Sequence, residues 1–304
     1  MSTGTRSYNV ADHVFSLQMD GIAGLRAGLK NYEPFRIDGR RSQGRERNPQ
    51  KIFTLRLFEK LEFPAVKPFY LSEPEPDERR IDVYVTEAGD YLFEMGPSAD
   101  GPVVGKLLSS PDFSEGKLLV VVPKYSEFCI NNALMLQYAF RTATESTLEM
   151  HASVVQWEGR GYLFLGRSGT GKSTHSALWL RHIPGTCLLN DDNPVIRIAD
   201  GVPTVYGTPW SGKTPCYRNE RVPIGAIVQI NQAPENRIRR MSVPEAVASL
   251  FASCSGLKSI RSIGDGLFAT IASVIESVPC YLLDCLPDRE AAEICHKTVT
   301  QYGK

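Results

Sequence analysis

Eight consecutive residues, Gly166-Arg167-Ser168-Gly169-Thr170-Gly171-Lys172-Ser173, fit the P-loop pattern G-x-x-x-x-G-K-[ST]. The chemistry of that spacing is phosphate binding. Backbone N–H groups and a helix N-terminus converge on one point, where a polyphosphate is stabilised. Gly169 and Gly171 permit backbone angles and close approaches that a Cβ would block. Lys172 can reach β- and γ-phosphates, and the Ser173 hydroxyl can ligate Mg²⁺. Gly166, Ser168, Thr170 and Thr174 complete the nucleotide-binding set. An ordinary glycine-rich turn would satisfy the bare pattern. Its flanks argue for more: the apolar run Gly161–Leu165 leads in, and a helix-compatible stretch, Ser173–His182, leads out.

Asp191 and Asp192 are the second signal. Phosphoryl transfer needs a carboxylate to hold Mg²⁺ and often another to accept the nucleophile's proton. The pair follows the short apolar strand Cys187-Leu188-Leu189, within Asn190-Asp191-Asp192-Asn193-Pro194. The C-terminal ends of strands are where open α/β sheets hold ligands. Two adjacent like charges repel unless a cation lies between them. A polar turn ending the strand is the plain alternative.

Further polar residues are less specific. His151 stands at the head of the segment that leads to the glycine loop, as a structural or a phosphate-orienting residue. His175, in the first helical turn after the loop, reads as a surface or packing residue. Lys213, in Thr208–Thr214, and Arg218 and Arg221 beyond it, are either surface charge or cations that neutralise a transferred phosphoryl group. Arg237, Arg239 and Arg240 read as a solvated face, and the arginine-rich stretch Gly39–Gln50 as a solvated loop.

These residues need a scaffold. The amino-terminal part offers a strand at Tyr8–Leu17 and a helix near Ile22–Lys30 that is weakened by Gly24 and Gly28. Alternating segments follow at Ile52–Phe58, Ile81–Thr86, Tyr91–Met95 and Lys117–Val122. They predict an antiparallel sheet with a hairpin turn at Ala88-Gly89-Asp90. Ile130, Leu134 and Tyr138 recur at helical spacing within Ile130–Thr142. A domain boundary is placed near residue 145, giving an α+β domain over 1–145 and a catalytic domain over 146–304.

The second part predicts a hairpin, Ala152–Trp157 with Tyr162–Leu165, and then the loop and its helix, stopped by Pro184-Gly185. Another hairpin spans Val195–Ile198 and Thr204–Tyr206. Strands Ala226–Ile230 and Cys280–Asp284 and a helix Arg289–Tyr302, opened by Pro287 and Asp288, complete it. Hairpins mixed with βα units are unlike an all-parallel doubly wound sheet.

Composition sets the class. The chain has 304 residues, 42% hydrophobic and 22% charged, as in a globular protein with a full core. Lys plus Arg and Asp plus Glu are 34 each, which argues against broad electrostatic binding to nucleic acid or an anionic membrane. No window approaches the roughly 18 apolar residues of a membrane helix. The first nine residues lack the apolar core of a signal peptide. Seven cysteines without C-x-x-C or zinc spacing fit reduced thiols in the cytoplasm.

Taken together, His151, the loop Gly166–Ser173 and the pair Asp191-Asp192 resemble the catalytic domain of HPr kinase/phosphorylase, with its phosphoenolpyruvate-carboxykinase type of nucleotide fold. The resemblance covers about residues 150 to 215, and extends loosely to about 290. It is similar in particular to bacterial HPr-kinase-like proteins that join such a domain to a different amino-terminal region. The resemblance implies an α/β kinase domain with a mixed sheet. It also implies ATP and Mg²⁺ as cofactors, with one aspartate as catalytic base and both near the metal; Asp191 is read as the base and Asp192 as the metal ligand, an assignment that could be exchanged. Its acceptor would be a hydroxyl of a small molecule, a peptide or a protein serine. A homo-oligomer is compatible with it. The glycine-rich segment with which HPr kinases hold their protein substrate does not occur here, so the acceptor need not be HPr. A nucleotide-sensing module without transfer activity and a carboxykinase-type enzyme are the alternative functions.

Overall fold

The computed structural model describes residues 4–19, 29–37, 51–76, 78–212 and 214–301. The chain divides into two compact units, Met1–Arg141 and Thr142–Lys304.

The first unit opens with β1 (Thr5–Val10) and β2 (His13–Gln18), paired antiparallel. One continuous strand was expected over Tyr8–Leu17. Ala11 and Asp12 instead take φ of 48° and 61°, the left-handed geometry of a two-residue hairpin turn. Neither is glycine or asparagine, so the turn left no signature. Strands β3 (Lys51–Phe58), β4 (Val66–Tyr70), β5 (Arg80–Thr86), β6 (Tyr91–Gly96), β7 (Gly105–Ser109) and β8 (Glu115–Val120) complete an eight-stranded sheet, ordered β1-β2-β3-β8-β7-β6-β5-β4.

The sheet is mixed rather than antiparallel, because β3 runs parallel to both β2 and β8. Alternation marks a buried face but not strand direction. The turn after β5 is as expected: Gly89 sits at φ 88° and its N–H donates to Thr86 O at 3.1 Å. Helix α1 (Ser126–Thr142) buries Ile130, Leu134 and Tyr138. Lys30 opens a 3₁₀ turn, Lys30–Phe35. Residues 22–28 of the expected helix, and the whole basic stretch Gly39–Gln50, lie outside the described residues.

The second unit carries β9 (Thr147–Glu149), β10 (Ala152–Trp157), β11 (Arg160–Leu165), β12 (Cys187–Asp192), β13 (Val195–Ala199), β14 (Val202–Tyr206), β15 (Arg221–Gln232), β16 (Arg237–Arg240) and β17 (Cys280–Cys285). Its helices are α2 (Lys172–His182), α3 (Val243–Ser253), α4 (Arg261–Ser277) and α5 (Arg289–Thr300). Strand order is β12-β10-β11-β15-β14-β13-β9, with β17 beside β15 and β16 beside β17. This sheet is also mixed. Strands β11, β15 and β17 are parallel neighbours, and β10 is antiparallel to both β11 and β12. Hence β11, β12, β15 and β17 all end at the same sheet edge.

Each element has a local cause. Strand β11 is almost wholly buried, and α2 lays Trp179 against it, with the rings of Tyr162 and Phe164 at 5.3 and 5.6 Å. The same core takes Val228 from β15, Tyr281 and Leu283 from β17, and Ala292 and Cys295 from α5. Helix α5 starts where Asp288 accepts a hydrogen bond from Ala291 N at 2.9 Å. Helices α3 and α4 had no counterpart in the sequence reading. Helix α4 holds Gly264 and Gly266, which weaken any helix assignment. A Cβ on Gly266 would run into Ala143 O, so packing demands the glycine.

Candidate functional site

The register of three strands brings the candidate residues together. Ala152 on β10 faces Leu165, the last residue of β11, on one side and Asp192 on the other. The residue before the glycine-rich loop and the second aspartate are thus two strand spacings apart, about 10 Å. His151 precedes Ala152 and occupies the gap between them. Its own N–H is anchored on Ser253 O at 2.7 Å.

The glycine-rich loop leaves β11 at Gly166 and enters α2 at Lys172, with Gly171 as a left-handed N-cap at φ 101°. Gly166 (φ 150°) and Gly169 (φ 78°) are also in the positive range. At Gly166 a Cβ would collide with Thr170 Oγ1 and stand 3.2 Å from Ile230 O. Thr170 closes the turn: its N–H and hydroxyl both donate to Arg167 O, at 3.2 and 2.8 Å. Ser153 Oγ and Ser176 Oγ, 2.6 Å apart and buried, fasten α2 to β10.

Lys172 is buried, and its Nζ contacts His151 Nε2 at 2.8 Å, Gly166 O at 2.9 Å and Arg167 O at 3.2 Å. Burial pushes its pKa down, while the Asp192 and Asp191 carboxylates pull it up. An ammonium can only donate, so His151 Nε2 accepts and the neutral ring carries its proton on Nδ1. That nitrogen lies 3.1 Å from Asp192 Oδ1. Lys172, His151 and Asp192 therefore form one hydrogen-bonded chain.

Asp191 and Asp192 are the last two residues of β12, which continues through both carboxylates and does not stop at Leu189 as the apolar run suggested. Asp191 is buried, and its Oδ1 accepts a 2.8 Å hydrogen bond from Ser173 Oγ. Its Oδ2 is buried without a hydrogen-bond partner among the described residues. Asp192 is about one-third exposed and takes φ 121°, a strained angle for a residue with a Cβ. Asn193 Nδ2 donates to its Oδ2 at 2.8 Å.

The segment after β14 is built against this strand. Asn190, fully buried, donates to Thr208 Oγ1 and to Trp210 O, each at 3.1 Å, and accepts from Asn193 N–H. Ser211 pairs with Asp192 as an isolated bridge, and a Cβ on Gly212 would stand 3.0 Å from Asp192 Cβ. Only glycine allows the backbone to cross so close to the carboxylates. Asn190, Thr208 and Gly212 are supports that sequence reasoning did not single out; a buried asparagine has no spacing signature.

The expected residues divide accordingly. His151, Lys172, Ser173, Asp191 and Asp192 come together at one sheet edge with the loop glycines. Arg218 does not join them. It pairs with Glu220 at 3.7 Å and lies by the Cys216 thiol, and among the described residues nothing links it to the glycine-rich loop. Lys213 lies outside the described residues. His175 is fully packed, neither on a surface nor among the carboxylates. All seven cysteines are unpaired. No described helix is long and apolar enough to cross a membrane.

The donor set fits a divalent metal bound with phosphate. A buried carboxylate oxygen without a donor is stabilised by a cation. Mg²⁺ takes few protein ligands, with water and phosphate oxygens supplying the rest. No three-residue His, Cys, Asp or Glu metal cluster occurs among the described residues. No protein-family model matches the chain, and a search of curated proteins finds no significant match.

Proposed function

We propose that this chain is an ATP- and Mg²⁺-dependent kinase that transfers a phosphoryl group to a hydroxyl of a small molecule, peptide or protein serine. The fold would be the P-loop kinase type with a mixed sheet, as in HPr kinase/phosphorylase. The observation that carries this reading is the 2.8 Å hydrogen bond from Ser173 Oγ to Asp191 Oδ1. It puts a hydroxyl and a carboxylate, the usual protein ligands of a nucleotide-bound Mg²⁺, on adjacent atoms at a helix N-terminus.

When bound, magnesium–ATP supplies the transferable phosphoryl group and neutralises part of its charge. The loop N–H groups from Gly166 to Ser173 would bind the phosphates, and Lys172 would turn its ammonium from the Gly166 and Arg167 carbonyls to the terminal phosphate oxygens. Ser173 and Asp191 would hold the metal, which exchanges the roles first expected for Asp191 and Asp192, because it is Asp191 that bonds Ser173. Asp192, the more exposed carboxylate, accepts the proton of the acceptor hydroxyl. His151 fixes the orientation of Asp192 through Nδ1–H and of Lys172 through Nε2. Arg218 has no assigned part.

The test is turnover. Purified protein with ATP and Mg²⁺ is screened against hydroxyl-bearing metabolites and peptides for phosphate transfer. Transfer by the wild type, and its loss in Lys172→Ala with the fold intact by circular dichroism, is the expected result. Unchanged turnover in that variant would overturn the assignment. Tight ATP binding with no transfer to any acceptor would favour a nucleotide sensor.

A further inference from the structure

The second unit holds a cavity that the kinase chemistry does not use. Its volume is about 780 Å³, within the range of small-ligand pockets, about 300–1,000 Å³. It lies where β11, β15 and β17 begin, at the end of the sheet opposite to the glycine-rich loop. Trp157, Ile224, Pro279 and Val299 supply apolar wall.

Three polar side chains on the wall lack partners. Tyr162 is 3% exposed, yet its hydroxyl forms no hydrogen bond among the described residues. Its ring lies across Gly225, another wall residue, where a Cβ would stand 2.8 Å from Cε1 and 3.2 Å from the hydroxyl oxygen. Glycine there leaves room for the phenol end. Glu158 and Arg160 are exposed, and neither side chain makes an ion pair or hydrogen bond among the described residues. Glu158 (φ 45°) and Gly159 (φ 74°) form the two-residue turn between β10 and β11, so both charges leave one short hairpin. Both reach the Tyr162 hydroxyl: burial raises its pKa, the Arg160 charge lowers it and the Glu158 charge raises it. Helices α4 and α5 also end here, with their last residues, Ser277 and Thr300, on the wall. The carbonyl end of a helix carries partial negative charge.

We propose that this cavity binds a free α-amino acid with a large apolar side chain. Such a ligand brings a carboxylate and an ammonium together, and the wall has a partner for each. Arg160 offers a fork of N–H donors to the carboxylate, and the Tyr162 hydroxyl adds one more. Glu158 and the carbonyl ends of α4 and α5 supply negative charge for the ammonium. The apolar side chain covers Trp157, Ile224, Pro279 and Val299. A plain anion would be opposed by Glu158, and a plain cation by Arg160. The cavity shares no residue with the glycine-rich loop or the aspartates, so the inference is independent of the kinase reading.

Calorimetry on the full chain tests this with three probes: L-phenylalanine, L-tryptophan and L-leucine. At least one should bind. It should do so at least about tenfold more tightly than its own amide, which lacks the carboxylate, and than its N-acetyl form, which lacks the ammonium. Arg160→Gln should erase the preference over the amide, and Glu158→Gln the preference over the N-acetyl form. Both positions are exposed, so the core is not at risk. Tyr162→Phe keeps the ring and should weaken binding of the amino acid about threefold to tenfold. Binding of none of the three probes by the wild type overturns the proposal. So do equal affinities for an amino acid and its two derivatives, or an unchanged preference in either folded charge variant.

Discussion

Ser173 Oγ and Asp191 Oδ1 are joined by a 2.8 Å hydrogen bond, although 18 residues separate them in the chain. The contact exists because β10 lies between β11 and β12. Ser153 on β10 faces Asp191, and its hydroxyl also grips Ser176 on α2, one turn beyond Ser173. The loop, the helix and the aspartate strand are thus tied at one buried point. Asp191 and Asp192 leave that point differently: the first toward Ser173, the second toward His151.

The two carboxylates should therefore fail differently. Asp191→Asn should weaken the magnesium dependence of nucleotide binding, because it removes the charge beside the Ser173 hydroxyl. Asp192→Asn should bind magnesium–ATP within about threefold of wild type, yet lose transfer by roughly a hundredfold or more, the usual worth of a general base. Calorimetry with and without Mg²⁺, beside a transfer assay, separates the two. Full transfer by Asp192→Asn would remove it from the proton-accepting role, and the reversed pattern would exchange the two assignments.

The loop glycines should also differ among themselves. Gly166→Ala introduces a Cβ that meets Thr170 Oγ1 and the Ile230 carbonyl, at φ 150°. Gly169→Ala has the same problem of angle, φ 78°, but open space around it. Urea denaturation should show a loss of about 1–3 kcal/mol for the first. The second should lose only about 1 kcal/mol, the cost of a left-handed residue. A larger loss at Gly169 would mean that the loop's steric limits lie elsewhere.

Much of this site was legible because its parts are local in sequence. The spacing from Gly166 to Ser173 announces a turn into a helix, and Asp191-Asp192 are adjacent. What joins them was not legible. Whether Asp191 or Asp192 reaches Ser173 depends on the β10–β12 register, which shifts between Val154 and Val155. One residue of slip turns a side chain to the other face. Lys172 meeting His151 likewise depends on a neighbour 21 residues back. Arg218 is a case apart: closeness in sequence to Thr208–Thr214 suggested a shared site, whereas its guanidinium pairs with Glu220 and lies by the Cys216 thiol, with no direct bond to the aspartates among the described residues. In the first unit, alternation located β3, β5, β6 and β8, yet not the parallel pairing that makes the sheet mixed.

His175 gives a prediction about pH that does not depend on any ligand. In the unfolded chain its pKa is near 6.5, and in the fold burial lowers it to about 4. Between those values the unfolded state binds more protons, so stability falls as pH falls. The group's contribution is fully present above about pH 6.5 and is lost progressively toward pH 4. The shift corresponds to about 3 kcal/mol over that window. In His175→Gln the amide oxygen can still accept the Trp179 indole N–H, but nothing there titrates. His296, whose pKa burial also lowers, is common to both proteins and cancels in the comparison. Chemical denaturation at pH 7 and pH 4.5 should therefore show the wild type losing about 2–3 kcal/mol more than the variant. Equal losses would mean that the imidazole becomes protonated without leaving its packed position between Phe164 and Trp179.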